Sequence, residues 1–335
     1  MKTWELQAKP GFDALTLTER PSQEVGPLDV KVRVRAVSLN YRDVLIAKGA
    51  VNAKQPRVPV SDGAGEVVAV GAKVTKWKAG DRVMGSFFPS WVDGELSDAH
   101  HAIALGGGSD GMLREEVVLP EHAWVRMPTG WSFEEAATLP CAGLTAWQAL
   151  FEVADVKPGS TVLIQGSGGV SVFALQLAKK AGARVFATSS SAPKAKTLRE
   201  LGAVDVVDYR AEPKWGEKVK QLTGGHGVDV VVEVGGAATF DQSVQALRYG
   251  GTMSIIGVLT GGRGEVNLHA MFAKRQRVHG VYVGSTAMFE RFVAALETTG
   301  IKPVIDRVFE FAQAREAWEH LAAAQHFGKV VIRVG

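Results

Sequence analysis

Thr161-Val162-Leu163-Ile164-Gln165-Gly166-Ser167-Gly168-Gly169-Val170-Ser171 runs from an apolar strand through a glycine-rich turn into Val172-Phe173-Ala174-Leu175-Gln176-Leu177-Ala178, a stretch of helical composition. Gly166 permits a tight turn, and Gly168 lets a pyrophosphate approach the main chain. A helix opening near Gly169 offers that anion its free N–H groups and its positive end. The third position of the fingerprint is Ser171 rather than glycine, a residue still small enough for close helix–strand packing. The motif alone is weak. A strand before it, a helix after it and a second strand on schedule give it weight.

Beyond the turn, β-branched runs alternate with helical stretches. Thr161–Gln165, Arg184–Thr188, 205–207, Asp229–Val234, Thr252–Gly257 and Val278–Val283 read as strands. Val170–Ala181, Pro193–Leu201, Lys214–Thr223 and Phe240–Leu247 read as the helices between them. Such βαβα order predicts a doubly wound parallel sheet with helices on both faces, an α/β Rossmann domain. The first third is different in texture. Val30, Val32, Val34 and Ala36 alternate with Lys31, Arg33 and Arg35, the period of a half-buried strand. Glycines in Asp62-Gly63-Ala64-Gly65-Glu66-Val67-Val68-Ala69-Val70-Gly71 suggest bent strands with close backbone approaches. Residues 87–110 read as a long loop over the surface or a cleft, and Ser132 with Glu135 has the spacing of a capping box. The last strand, Lys329–Arg333, is expected to return to the first domain. The boundaries that follow are 1–130 with 283–335 for one domain and 131–282 for the sheet domain.

The end of the second Rossmann strand bears on which dinucleotide is bound. A free ribose 2′-hydroxyl usually meets an Asp or Glu about 20 residues past the turn. Here Ser189-Ser190-Ser191-Ala192-Pro193-Lys194 stands instead, with no carboxylate to repel a 2′-phosphate. Hydroxyls, the Lys194 ammonium and the phenol of Tyr209 suit such a phosphate, so NADP(H) is favoured over NAD(H).

Composition excludes several alternatives. With 335 residues the chain suits two domains, and its net charge of +3 carries no basic tract of the nucleic-acid kind. Cys141 is the one cysteine, which rules out an intramolecular disulfide and a cysteine-rich structural zinc site. No run reaches the ~18 apolar residues of a membrane span, and no secretory signal is visible. Cytoplasmic residence, with neither a membrane nor a nucleic-acid partner, is the expectation.

Ala36-Val37-Ser38-Leu39-Asn40-Tyr41-Arg42-Asp43, the glycine stretch 62–71, Gly80-Asp81-Arg82-Val83, Leu139-Pro140-Cys141-Ala142-Gly143-Leu144-Thr145 and Gly328-Lys329-Val330-Val331-Ile332 recur in this order in a known family. Over nearly its full length the chain resembles the zinc-independent quinone oxidoreductase branch of the medium-chain dehydrogenase/reductases. The resemblance implies a GroES-like β-barrel catalytic domain, a Rossmann domain, an active-site cleft between them, and a homodimer. It implies that Gly166, Ser167, Gly168, Gly169 and Val170 cradle the pyrophosphate, while Ser189, Ser190, Lys194 and Tyr209 hold the 2′-phosphate. Val234, Gly257, Val258 and Leu259 would flank the nicotinamide ribose, with Val281, Tyr282 and Val283 near the nicotinamide. Asn40, Tyr41 and Asp43 would approach it from the other domain, Thr145 would lie beside it, and Phe327, Gly328 and Lys329 would touch the cofactor. Ala323 departs from relatives that place an arginine there.

Zinc members of the superfamily bind the catalytic ion through two thiolates and an imidazole. The matching positions here are Asn40, Ser61 and Cys141, so no zinc is expected. Charge on a substrate oxygen must then be met by hydrogen-bond donors or water. Asn40 and Tyr41 are the leading candidates, with Asp43 and Asp62 organising their neighbours. An NADPH-dependent reductase of quinones or other small carbonyls is the first reading. An enone or enoyl-thioester reductase is second, opposed by Ala50-Val51-Asn52, where relatives of that chemistry place a tyrosine. An alcohol dehydrogenase and a non-catalytic NADPH-binding protein remain as alternatives.

Overall fold

The computed structural model describes residues 1–50 and 56–335, so Val51 and Asn52 lie outside the described residues. Two compact units emerge, Met1–Leu144 with Val283–Gly335, and Thr145–Tyr282.

In the first unit β1 (Lys2–Leu6) pairs antiparallel with β2 (Leu15–Glu19). The alternating segment becomes β3 (Asp29–Leu39), with Val30, Val32, Val34 and Ala36 fully buried and Arg33 exposed. It pairs antiparallel with β4 (Asp62–Val70), which continues to β5 (Arg82–Gly85); β6 (Glu116–Pro120) joins β3 and β7 (Trp124–Arg126) joins β5. The glycines of β4 do allow close approach: a Cβ at Gly65 would stand 2.1 Å from Arg33 O. Residues 87–110 are only partly a surface loop. Phe87, Phe88 and Trp91 are buried, so the segment begins in the core and emerges at the one-turn helix Asp98–His101.

The second unit holds six parallel strands: β8 (Thr161–Gln165), β9 (Arg184–Thr188), β10 (Asp205–Val207), β11 (Val228–Glu233), β12 (Leu247–Ile255) and β13 (Arg277–Gly280). Their spatial order is β10-β9-β8-β11-β12-β13. The direction of winding therefore reverses between β8 and β11, and a doubly wound sheet binds its ligand outside the carboxyl ends of the strands at such a point. Helices Gly169–Lys180, Ala192–Leu201, Trp215–Leu222 and Phe240–Ala246 fill the crossovers. Leu163, Phe186, Val231 and Met253 interlock in one core cluster of this unit. The last strand is shorter than its sequence suggested, ending before Val281–Val283.

The chain then returns to the first unit through helix Thr286–Thr299, β14 (Ile305–Glu310), helix Ala314–Ala322 and β15 (Lys329–Arg333). β15 lies antiparallel to β3, with Val330 opposite Leu39. Residues 131–144 also belong to this unit, which moves the boundary from the expected 130/131 to 144/145. The reason is a set of tethers. Helix Phe133–Ala136 starts from the Ser132–Glu135 capping box, Arg333 binds Glu134, Lys302 binds Glu135, and Cys141 N donates to Asp62. Among the described residues no helix is long and apolar enough to cross a membrane.

Candidate functional site

Gly166 follows β8 with φ 68°, a left-handed conformation that favours glycine, and its N–H donates to Thr188 O. Gly168 differs. Its φ of −74° is open to any residue, and a Cβ there would meet no atom within 4 Å. Neither the fold nor its packing requires glycine at 168, whereas an approaching diphosphate does. Gly169 and Val170 then open a 12-residue helix whose first N–H groups face the same space. Ser171 Oγ donates to Gln165 O at 2.7 Å, clipping the helix onto the end of β8. Ser167, which lies between the two glycines, is buried. The turn fits a dinucleotide diphosphate.

The end of β9 gathers the residues expected around the adenosine ribose. Ser189 is buried with its N–H on Val207 O, Ser190 Oγ donates to the Tyr209 hydroxyl at 2.9 Å, and Lys194 lies in the first turn of helix Ala192–Leu201. The third cluster of cofactor positions follows β11 and β12. A Cβ at Gly257 would meet Val234 O at 2.4 Å, so these two loops touch, leaving Val258 and Leu259 exposed beside them. Val281 is buried and hydrogen-bonded to Ile255, while Tyr282 is exposed. Thr145, at the first position of this unit, is buried.

Sequence reasoning missed the group that ties these loops together. Glu233, fully buried at the end of β11, accepts from Gly235 N, Gly236 N and Thr239 Oγ1 on one oxygen, and from Gln165 Nε2 and Ser243 Oγ on the other. Gln165 Oε1 in turn accepts from Val234 N and Gly235 N. A carboxylate with five donors can remain buried without a cation. The signal was present: an acid closing an otherwise apolar strand, Val230-Val231-Val232-Glu233, in a sheet whose first strand closes on Gln165.

In the first unit Asn40, Asp43, Asp62, Cys141 and Lys329 form one polar cluster, in which Asp43, Asp62 and Lys329 are buried. Asp43 accepts from Asn40 N at 2.8 Å, and Asp62 accepts from Ser61 Oγ at 2.7 Å and Cys141 N at 3.1 Å. Lys329 Nζ donates to Leu39 O at 2.6 Å and Asn40 Oδ1 at 2.5 Å. Burial pushes the Asp62 carboxyl up and the Lys329 ammonium down, while each favours the charged form of the other. Burial likewise raises Asp43, to about 6. The Asn40 amide, a leading donor candidate, is turned inward: Oδ1 is held by Lys329 and Nδ2 lies against Asp62 in no well-formed hydrogen bond. The Lys329 side chain is buried in this cluster. Of the four candidate catalytic side chains only Tyr41, 42% exposed, projects outward. Phe327 donates its N–H to Asp306, and Val283 holds a left-handed backbone at φ 59°.

This donor set does not fit a zinc ion. An ammonium occupies the free oxygen of Asn40 and a hydroxyl stands at 61, which leaves the Cys141 sulfur as one soft ligand where three are needed.

The comparisons with known proteins agree with this architecture. The alcohol dehydrogenase GroES-like domain matches residues 26–129 and the zinc-binding dehydrogenase domain matches residues 169–299. A zinc-type alcohol dehydrogenase-like protein of Schizosaccharomyces pombe is 42% identical across 97% of this chain and 96% of its own length. A quinone oxidoreductase of Pseudomonas aeruginosa is 31% identical across 99% of both. Among solved structures, an NAD-dependent alcohol dehydrogenase superposes with a TM-score of 0.90 at 34% identity, covering all of both chains. The 2-octenoyl-CoA carboxylase reductase CinF, in complex with NADP and 2-octenoyl-CoA, superposes at 0.88 with 28% identity, over 99% of this chain and 87% of that one. A glycine turn at the switch point of a doubly wound sheet, in a chain that also carries a GroES-like unit, defines a nicotinamide-dependent oxidoreductase. The chain belongs to the medium-chain dehydrogenase/reductase superfamily, in its quinone oxidoreductase-like branch.

Proposed function

We propose that this oxidoreductase takes hydride from NADPH and delivers it to a quinone or another small carbonyl or enone, with no metal taking part. The observation that carries the cofactor preference is the pairing of Ser190 Oγ with the Tyr209 hydroxyl at 2.9 Å, in a run 189–194 that ends on Lys194 in the first turn of the next helix and holds no carboxylate. An acid there would bind a ribose hydroxyl and repel a 2′-phosphate; hydroxyls and an ammonium do the reverse. The relatives include both an NAD-dependent enzyme and an NADP complex, so the chemistry of these side chains carries the choice. Ser190→Asp is expected to invert the ratio of kcat/KM for NADPH over NADH. Equal use of both coenzymes by the unaltered enzyme would sink the preference.

Bound nicotinamide supplies the hydride, and the chain supplies orientation and a proton. With the Asn40 amide turned inward and Asp43 and Asp62 buried, Tyr41 is the residue that donates to the developing oxyanion. A panel of quinones, enones, aldehydes and alcohols tests the substrate class. Turnover restricted to alcohols would favour the alcohol dehydrogenase reading, and tight NADPH binding without turnover of any acceptor would leave a cofactor-binding protein.

The proposed assembly is a homodimer through the edge of the six-stranded sheet. All four residues of β13 are exposed, Val278 among them, and Tyr249, Leu268 and Phe272 add exposed apolar surface. An unpaired strand edge of this kind is covered most simply by its own symmetry copy. Light scattering at micromolar concentration reads the mass directly.

A further inference from the structure

Residues 39–43 carry the chain from β3 into the seven-residue helix Tyr41–Ala47. Four of these five residues are fastened. Leu39 O and Asn40 Oδ1 both accept from Lys329 Nζ, and Asn40 N donates to Asp43. Arg42 donates to Leu105 O and stacks on Phe87, and Asp43 O accepts from Trp318 Nε1. Tyr41 alone among the five is exposed. Two of the fasteners, Lys329 on β15 and Trp318 on helix Ala314–Ala322, come from the C-terminal segment, 290 and 275 residues along the chain from the Leu39 and Asp43 carbonyls they hold.

A buried lysine is a costly way to stabilise a fold, because taking its charge out of water offsets most of the attraction it gains. Its geometric effect is specific. One ammonium joins a main-chain carbonyl and a side-chain amide on consecutive residues, which fixes the corner at the point where Tyr41 leaves it. We propose that Lys329 is a positioning residue, whose contacts to Leu39 and Asn40 hold the corner that aims the Tyr41 side chain. Its catalytic consequence rests on the role assigned to Tyr41 above, while the positioning itself does not.

The test separates the two. Ring-13C-tyrosine protein carries four probes, Tyr41, Tyr209, Tyr249 and Tyr282, and Tyr41→Phe assigns the first. Lys329→Gln is expected to shift and broaden the Tyr41 ring signals and leave the other three in place; Asn40→Ala, which removes one acceptor and keeps the buried charge, is expected to do the same. In turnover, Lys329→Gln should lower kcat roughly tenfold to a hundredfold with the KM for NADPH within about twofold. Added to Tyr41→Phe it should cost little more. Unmoved Tyr41 signals, effects on kcat that multiply independently, or failure of both variants to fold would each overturn the proposal. Wild-type turnover by Tyr41→Phe, with the Tyr41 signals still displaced by Lys329→Gln, would instead remove the phenol from the mechanism and leave the positioning intact.

Discussion

Gln165 Nε2 stands 2.6 Å from Glu233 Oε2, a hydrogen bond between the last residues of the first and fourth strands of the parallel sheet. Those strands flank the point where the winding reverses, so this contact sets the separation of the glycine turn from the loop after β11.

Removing the carboxylate tests that statement. Glu233→Ala would remove the carboxylate that accepts from Gln165, Gly235, Gly236, Thr239 and Ser243, and would leave Gly236 N with no acceptor in place of it. A loss of at least about 3 kcal/mol is expected in denaturant unfolding. Glu233→Gln keeps the shape but points an NH2 at donors, and should lose roughly half as much. Unchanged midpoints for both variants would contradict the network.

Gly168→Val gives the opposite signature. Its backbone is unstrained and its Cβ would enter open space, so unfolding should change by less than about 0.5 kcal/mol. Isothermal titration should nonetheless show NADPH affinity falling by about a hundredfold, equivalent to about 3 kcal/mol. Retained affinity would place the diphosphate elsewhere.

Gly65→Ala should act on the fold alone. The new methyl would stand 2.1 Å from Arg33 O, forcing β3 and β4 apart. A loss of about 3 kcal/mol in thermal or chemical unfolding is expected, and a variant as stable as the parent would show that the strands can separate freely.

Asp43 predicts a pH dependence. Its folded-state value, raised by burial from 3.8 to about 6, means the native chain binds the proton more tightly than the unfolded chain. Its contribution is therefore fully present below about pH 3.8 and is lost as pH rises through 6, a span of roughly 3 kcal/mol. Asp43→Asn should flatten that part of the stability profile. A profile of unaltered slope between pH 4 and 6.5 would rule the effect out.

The two units were not equally legible. In the Rossmann unit strand and helix follow from short-range patterning, and Thr161–Gln165, Arg184–Thr188 and Asp205–Val207 agree with β8, β9 and β10 to the residue. Errors appear where the local pattern is ambiguous. Val278–Val283 reads as one apolar strand, yet pairing with β12 stops at Gly280. Residues 87–110 are polar on average, which concealed the buried Phe87, Phe88 and Trp91. Residues 131–144 look like the start of the helical half, and only their ties to Asp62, Arg333 and Lys302 assign them to the first unit.

The order of apolar runs and the glycines at 166 and 168 by themselves determined a doubly wound sheet with a diphosphate turn, because periodicity and backbone freedom are properties of neighbouring residues. The inward rotation of Asn40, the burial of Lys329 and the exposure of Tyr41 were decided only when β15 came to lie against β3. Hydrogen bonds between residues 40 and 329 depend on strand register and on the loss of water around a charge, and neither leaves a trace in the local order of amino acids.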